Sequence, residues 1–372
     1  MRQLRAIQRK IQVKRSKQYL LLFTVLLSIS LILVSCGSKQ RDLRTKPYVK
    51  ELFAMGTYIK ITSYDKGHEK DIQAALDIAK DYDKKTSVNQ KGSELDEINA
   101  QSGIKPVKVS KSVYDLLVKS YSYSKKEAGF DMMIGALTSL WHIGFDDARK
   151  PSQAEIDQAL PLVSYEAIQF DEKKQTVYLP VKGTKLDLGA ITKGYVADQM
   201  TDYLKTHGVT TAIVDLGSSS LSLMGHSPRG EKTPWRIGIK DPNKEVSDQI
   251  GFLQAENESV TTSGIYERFL KLDGKIYPHI LDPKTGYPFD NDIQSVTIVS
   301  EKGVDGDALS TTIFAMGTKK GYAYVEKTKD IGAIFVDKDD KVYVTPNLAK
   351  RFELDTSSHY QLGSTDDLQH EN

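Results

Sequence analysis

The chain of 372 residues contains a single cysteine, Cys36. Because one thiol cannot form a disulfide within the chain, the folded protein must be stabilised by a buried core, which a chain of this length can supply. The cysteine follows a leader of distinctive composition. The first 17 residues contain seven Lys or Arg and no acid, which is typical of an export signal.

An uncharged apolar segment connects this basic start to Cys36. It spans residues 19–35 and ends in the letters LVS, directly before the cysteine. This pattern is typical of lipoprotein cleavage, and a plain membrane-spanning anchor is the alternative. The position of the only cysteine favours lipidation. We therefore expect a signal peptide over residues 1–35, a lipid-anchored tether over residues 36–50, and a location at the outer face of the cell membrane.

The charge balance excludes one class of partner. Without the seven basic residues of the leader, 44 Lys and Arg remain against 49 Asp and Glu, so the mature protein is mildly acidic. A basic face that binds nucleic acid is therefore not expected.

Patterns of apolar residues predict helices and strands mixed along the chain. Helical spacing covers residues 72–82, 110–127, 191–204 and 307–315, whereas β-favouring alternation or composition covers residues 53–62, 169–180, 211–215, 235–239 and 293–299. The connections are too short and irregular for a doubly wound parallel sheet, so the predicted fold class is α+β. The folded domain is expected over residues 51–354, followed by a polar, disordered tail over residues 355–372.

One candidate phosphate-binding segment reads LDLGAITKGY, over residues 186–195. It predicts a strand end, a glycine turn and a helix start that presents Lys193. Such a junction directs backbone N–H groups and a cation at one point, which suits a phosphate. The alternative is a surface lysine on an amphipathic helix.

A candidate metal site lies at Asp307 and Thr311. Their spacing places a carboxylate and a hydroxyl on one helical face, at a predicted helix start. Mg²⁺ takes hard oxygen ligands and often uses only one or two carboxylates. Helix capping by Asp307 and simple packing of Thr311 are the alternatives.

Three further stretches could contribute to a binding site. His279 lies in a segment rich in Pro and Gly, where it could act as a general base or have a purely structural role. Glycine-marked segments at 53–57 and 129–131 could approach a planar ligand or simply pack in the core. The stretch 262–268 could contact an anion, or it could contain an internal pair between Glu267 and Arg268.

Taken in order, these segments resemble the ApbE family, the FAD:protein FMN transferases. The resemblance extends from about Glu51 to Phe352 and rests on the ordered motifs MGT, SELDEIN, GFD, LWHIG, LDLGAITKGYVAD, VDLG, WRIGIKDP, TSGIYER, PHILDPKTGYP and DALSTTIFAMG. It implies an ApbE-like fold of largely antiparallel sheets with packed helices.

The resemblance also implies an activity. FMN would be transferred from FAD to a Ser or Thr hydroxyl of an acceptor protein, with release of AMP and a requirement for Mg²⁺. Family targets resemble the pattern Asp-x-x-Gly-Ala-Ser/Thr, and the acceptor is expected to be an exported or membrane redox protein. The alternatives are an FAD pyrophosphatase that yields FMN and AMP, and a non-catalytic solute-binding lipoprotein.

Site residues follow from the resemblance motif by motif. Asp307, Thr311 and the backbone carbonyl of Ala190 would bind Mg²⁺, and His279 would lie beside the reacting phosphate as the candidate base. The residues expected to line the FAD site are Met55, Asn89, Gly129, Phe130, Asp131, Asp187, Lys193 and His279. Four departures from the family pattern are Asn89 for a common tyrosine, Met132-Met133-Ile134 for Pro-Thr-Val, Ser218-Ser219 for Gly-Asn, and Ser310 for a second Asp.

Overall fold

The structure, a computed structural model, describes residues 43–126, 129–230, 232–243 and 249–370. The predictions for the signal peptide, for Cys36 and for tether residues 36–42 lie outside these residues.

The strands are β1 (Leu43–Ala54), β2 (Thr57–Asp65), β3 (Val107–Lys108), β4 (Gln169–Asp171), β5 (Thr176–Tyr178), β6 (Ala212–Leu216), β7 (Ser220–Met224), β8 (Trp235–Lys240), β9 (Gln249–Ala255), β10 (Ser259–Gly264), β11 (Phe269–Leu272), β12 (Lys275–Pro278), β13 (Ile293–Ser300), β14 (Ile331–Asp337), β15 (Lys341–Val344), β16 (Phe352–Leu354) and β17 (Gln361–Leu362). The helices are α1 (Glu69–Thr86), α2 (Glu94–Ala100), α3 (Lys111–Ser124), α4 (Gly135–Trp141), α5 (Gln153–Ala159), α6 (Thr192–Thr206), α7 (Gly303–Glu326) and α8 (Thr365–His370).

Nine of the strands form the central sheet, in the order β1-β2-β6-β7-β10-β13-β14-β15-β17. Every neighbouring pair in this sheet is antiparallel except β15 and β17, which are parallel. Smaller sheets are formed by β11 with β12, by β16, β9 and β8, and by β3, β5 and β4. The predicted α+β class with largely antiparallel sheets is confirmed.

Strands β13 and β14 are buried along their whole length because both faces of the sheet are covered. The alternation of side chains along a strand divides them between two cores. Val296 and Ile298 join the cluster that includes Phe314 of α7, whereas Val299 and Ile334 join the cluster around β8 and β9. The sheet therefore lies between α7 on one face and a small sheet on the other.

Helices α6 and α7 cross at a point where there is no room for a side chain. A Cβ added to Gly194 would lie 2.0 Å from the carbonyl oxygen of Gly303. Beside this crossing, the Asp198 carboxylate accepts hydrogen bonds from the N–H groups of Gly303 (2.7 Å) and Val304 (3.0 Å) and so caps α7. The crossing brings the start of α6 next to the early turns of α7.

Both ends of the predicted domain need correction. Residues 43–50, assigned to the tether, form part of β1 and pair with β2. Residues after Leu354, expected to be disordered, include β17 and the buried Tyr360, whose hydroxyl donates to Asp241 Oδ1 at 2.6 Å. The tail is polar in composition, but the buried Tyr360 and the pairing of β17 with β15 hold it against the folded domain.

Helix α7 also differs from its prediction. It begins at Gly303 instead of Asp307, so Asp307 lies inside the helix and is not its N-cap. The helix continues past Ala315 to Glu326, with a break at Gly317 (φ 77°, ψ 171°). Among the described residues, none of the helices combines the length and apolar character that crossing a bilayer requires.

Candidate active site

A cavity of about 1240 Å³ lies where the loops around β1, β6, β10 and the two crossing helices meet. Its volume exceeds the roughly 300–1,000 Å³ of common small-molecule pockets, which suits a ligand as large as a dinucleotide. All the predicted FAD and metal residues line it, namely Met55, Asn89, Gly129, Phe130, Asp131, Asp187, Ala190, Lys193, His279, Asp307 and Thr311. Predicted residues scattered along the sequence therefore surround one space.

Met55 reaches the cavity through a tight turn that the sequence prediction missed. The predicted strand 53–62 is two strands, β1 and β2, joined by Met55 and Gly56, with φ of 55° and 71°. Positive φ at both residues is the geometry of a two-residue type I′ hairpin. The alternation of side chains continues on both sides of so short a turn, so the sequence pattern did not indicate that the predicted strand is divided in two.

The 129–131 segment lies close against α7. Gly129 has φ +94°, and a Cβ there would be 2.3 Å from the Cβ of Ala315. The Phe130 side chain is buried in the core with Tyr123. The Asp131 carboxylate accepts from the N–H of Met133 at 2.8 Å, and its burial raises its pKa. Gly129 thus allows this segment to lie close against α7, while the Asp131 carboxylate fixes the loop that follows.

Asp187 shapes the turn that leads into α6. Its two carboxylate oxygens accept hydrogen bonds from the Thr138 hydroxyl at 2.8 Å and from the N–H of Gly189 at 2.9 Å. The strand expected before this turn is reduced to a single bridge between Lys185 and Ile134. Thr138 was missed by sequence reasoning, and nothing in its local sequence indicates this contact.

Asp307 connects α7 to the start of α6. The carboxylate is buried, and its Oδ2 accepts from the N–H of Gly194 at 2.6 Å. Gly194 is the third residue of α6, and the N–H groups at the start of a helix have no partner within the helix. Asp307 therefore satisfies one of these N–H groups, and the Ala190 carbonyl, which lies just before the helix, has no hydrogen-bond partner among the described residues. Burial raises the pKa of Asp307, and the nearby charge of Lys193 and the Gly194 hydrogen bond oppose this effect.

These groups fit the sparing coordination of Mg²⁺. Thr311 lies one turn after Asp307, partly exposed to the cavity, and its hydroxyl has no hydrogen-bond partner within the described residues. A carboxylate, a hydroxyl and a carbonyl are hard oxygen donors of the kind that Mg²⁺ prefers. In the described parts of the chain, no three His, Cys, Asp or Glu side chains form a metal cluster by themselves. A cation here would therefore need further oxygens from its substrate or from water.

Lys193 extends from the first turn of α6 toward the turn between β6 and β7. Its Nζ donates a hydrogen bond to the hydroxyl of Ser219, one of the residues at which the chain departs from the family pattern. The neighbouring Ser218 has a left-handed backbone, with φ 61°. A lysine and a serine hydroxyl therefore face the cavity together.

His279 is held through both its backbone and its ring. Its N–H donates to the carbonyl of Arg268 at 3.1 Å, and its Nδ1 lies 3.1 Å from the same oxygen. Because a carbonyl only accepts, Nδ1 must carry the hydrogen, and Nε2 is then an acceptor with no hydrogen-bond partner among the described residues. Burial lowers the pKa of His279 to about 4, with smaller contributions from the positive charges of Arg268 and Lys193. The ring is therefore neutral at neutral pH.

The Glu267–Arg268 stretch does not form the internal ion pair that the sequence left open. The ion pairs found among the described residues do not include one between these two side chains. Both residues line the cavity. Glu267 is exposed to the cavity, but the protein around it removes part of its hydration. This desolvation raises the pKa of the Glu267 carboxyl group.

Lys240 is a cavity residue that sequence reasoning missed, although a signal was present. Along β8, Trp235, Ile237 and Ile239 are buried, whereas Arg236 and Gly238 are exposed and Lys240 is partly exposed. This period of two puts Lys240 on the polar face. Its Nζ lies 4.7 Å from the ring centroid of Tyr266, at the cavity wall.

Solved structures share this architecture. The ApbE protein from Thermotoga maritima matches with a TM-score of 0.73 and 30% identity, over 81% of this chain and 98% of that one. The flavinyl transferase ApbE from Pseudomonas stutzeri matches with a TM-score of 0.71 and 26% identity, over 82% and 97% of the two chains. The fold places the chain in the same structural class as these two proteins.

Sequence comparison identifies the family. An FAD:protein FMN transferase from Klebsiella pneumoniae is 36% identical over 312 residues, covering 84% of this chain and 95% of the relative. One from Treponema pallidum is 32% identical over 335 residues, covering 86% and 92%. The ApbE family model matches residues 55–335. The chain belongs to the ApbE family.

Proposed function

We propose that this chain transfers FMN from FAD to a Ser or Thr hydroxyl of an exported or membrane redox protein, releasing AMP, with Mg²⁺ required. The observation that carries the proposal is the convergence of Asp307, the Ala190 carbonyl, Thr311, Lys193 and His279 on one large cavity. Membership of a family whose curated relatives have this activity supports it.

Each of these groups has a task in that reaction. Asp307, Thr311 and the Ala190 carbonyl would hold Mg²⁺, which neutralises the charge that grows on a diphosphate as its bridge breaks. Lys193 adds a positive charge beside the same phosphates. The neutral His279, with Nε2 free to accept, takes the proton from the acceptor hydroxyl as the hydroxyl attacks phosphorus.

The leader sequence supports a location for this reaction. We infer that Cys36 carries a lipid and holds the enzyme at the outer face of the cell membrane. Acceptors must then be exported proteins or membrane proteins with exposed loops. FAD must be present on the same side.

The test uses the purified full chain in detergent, with FAD, Mg²⁺ and an acceptor fragment that contains the Asp-x-x-Gly-Ala-Thr pattern. A fragment in which that threonine is valine serves as the control. We expect covalent flavin on the threonine fragment only, with one AMP released for each flavin attached. Release of FMN and AMP with no labelled fragment would contradict the proposal and favour a pyrophosphatase.

A further inference from the structure

We propose that Ser219 is an acceptor within the chain itself, so that without a partner protein the enzyme attaches FMN to its own Ser219 hydroxyl. This inference rests on the proposed function, because it uses the same FAD and the same cavity. Its distinctive claim is the site of attachment, which lies in the cavity wall and not on another protein.

The backbone holds Ser219 firmly at the cavity. It lies directly before β7, in the turn after β6, and its carbonyl accepts from the N–H of Thr262 on β10 at 2.8 Å. The N–H of Ser218 donates to Asp215 Oδ1 at 2.7 Å, which fixes the same turn. Ser219 is 9% exposed, and it lines the cavity. Its hydroxyl is therefore positioned before any ligand binds.

Lys193 connects this hydroxyl to the position expected for the phosphates. Its ammonium donates to Ser219 Oγ, and it has further protons for a second acceptor. A phosphate oxygen bound to the same ammonium would lie within about 6 Å of Ser219 Oγ, since each hydrogen bond spans roughly 3 Å. The contact would therefore bring the Ser219 hydroxyl and a bound phosphoryl group to the same cation.

Several other hydroxyls that line the cavity are paired within the protein, and those without a partner among the described residues, such as that of Thr311, lack the contact with Lys193 that Ser219 makes. Thr138 donates to Asp187, Thr262 pairs with Thr297, and Ser263 pairs with Ser310. Ser139 accepts from Lys185 at 3.4 Å, but its own hydrogen goes to the Gly135 carbonyl at 2.7 Å. The Ser219 hydrogen has no acceptor among the described residues, so this hydroxyl can direct it into the cavity.

The transfer balances without any further reactant. Ser219 Oγ forms a bond to the phosphorus on the FMN side of FAD, and the bond from that phosphorus to the bridging oxygen breaks. AMP leaves with the bridging oxygen and its electron pair, and the hydroxyl proton passes to water in the cavity. Lys193 stabilises the negative charge on the attacked phosphate. Because the hydroxyl is held beside the cavity, the step needs no bimolecular encounter with an acceptor.

The experiment incubates the full chain with FAD and Mg²⁺ and no acceptor. The protein is then denatured, freed of unbound flavin, and examined by intact mass and peptide mapping. We expect a mass increment of one phospho-linked FMN, mapped to Ser219. Ser219→Ala should lose the increment, and Ser219→Thr should keep it, now on the threonine. Ser218→Ala, the matched control at the adjacent exposed serine, should keep it on Ser219.

A parallel assay with the acceptor fragment separates this inference from the proposed function. Flavin on the fragment but none on the wild-type chain, or flavin mapped to another residue of the chain, would overturn Ser219 as an acceptor and leave the transferase intact. Failure to label either the fragment or Ser219 would overturn both. Labelling of the fragment by Ser219→Ala shows that this variant is folded, so its loss of self-labelling supports the proposal.

Discussion

The carboxylate of Asp307 accepts a hydrogen bond from the backbone N–H of Gly194, with 2.6 Å between Oδ2 and N. This contact joins two segments that are 113 residues apart in the chain. It also satisfies an N–H group in the first turn of α6, which has no partner within the helix. This hydrogen bond therefore holds the Asp307 carboxylate at the start of α6, next to the turn that contains Ala190, and the two motifs form a single candidate metal site.

Replacement of Asp307 by Asn should reduce kcat/KM for FMN transfer by at least about 100-fold, because the candidate metal loses its charged ligand, an effect of several kcal/mol. The variant keeps the size of the side chain and an oxygen that can accept from Gly194. Steady-state transfer to the acceptor fragment across a Mg²⁺ titration measures the effect. Asp305→Asn, on the same helix but outside the cavity lining, is the matched control. Activity of Asp307→Asn within about threefold of this control would exclude Asp307 as the essential ligand.

His279 should remain neutral well below its ordinary pKa of about 6.5. Burial lowers the pKa of His279 to about 4, so the base form persists as pH falls through 6.5 and is lost only near pH 4. We expect kcat/KM between pH 5.5 and 8 to show no acid limb from this residue, and His279→Gln to be inactive. Imidazole NMR of the full chain, assigned by the signal missing in His279→Gln, reports the titration directly. A His279 signal that titrates near pH 6.5 would show that the ring is solvated and not buried.

Much of the fold could be predicted from local pattern. In α1, the apolar positions identified at helical spacing, Ile72, Ala75, Leu76, Ala79 and Tyr82, are all buried. Strand β13 matches its prediction within one residue at its end. Burial on one face of a helix leaves a periodic pattern of apolar residues in the sequence, and burial on both faces of a central strand leaves a short run rich in β-branched residues. Turns of two residues and isolated buried side chains such as Tyr360 leave no such pattern.

The candidate site was predictable only in part. The ordered motifs identified the residues that line the cavity, but not the contacts that arrange them. Asp187 with Thr138, Asp307 with Gly194, and Lys193 with Ser219 are pairs distant in sequence, and folding alone brings them together. No periodicity encodes a side chain's distant partner. The Lys193–Ser219 contact gives a physical role to a substitution that the sequence left unexplained.

Cys36 should carry a lipid in the mature protein. Intact mass of the membrane-extracted protein should show a chain that begins at Cys36 and exceeds its polypeptide mass by a lipid modification. Cys36→Ala should retain residues 1–35, because the processing that depends on the thiol cannot proceed. Recovery of the wild-type protein from the membrane with residues 1–35 still attached would indicate a plain membrane anchor instead.

Gly129 should be required for two separable reasons. Its φ of +94° strains any L side chain, and a Cβ would also lie 2.3 Å from the Cβ of Ala315. Gly92 has a similar φ of +88° but no atom within 4 Å of an added Cβ, so Gly92→Ala isolates the backbone cost. We expect Gly92→Ala to lower the free energy of unfolding by about 1–2 kcal/mol and Gly129→Ala by about 1–3 kcal/mol more.

Because the clash lies at the cavity wall, Gly129→Ala should also weaken FAD binding, whereas Gly92→Ala should not. Denaturant unfolding and flavin fluorescence titration measure the two effects on the same preparations. Addition of Ala315→Gly removes the clashing methyl and should restore part of the FAD affinity, despite about 1 kcal/mol of helix propensity lost. Equal unfolding free energies and equal FAD affinities for Gly129→Ala and Gly92→Ala would show that the loop does not press against α7.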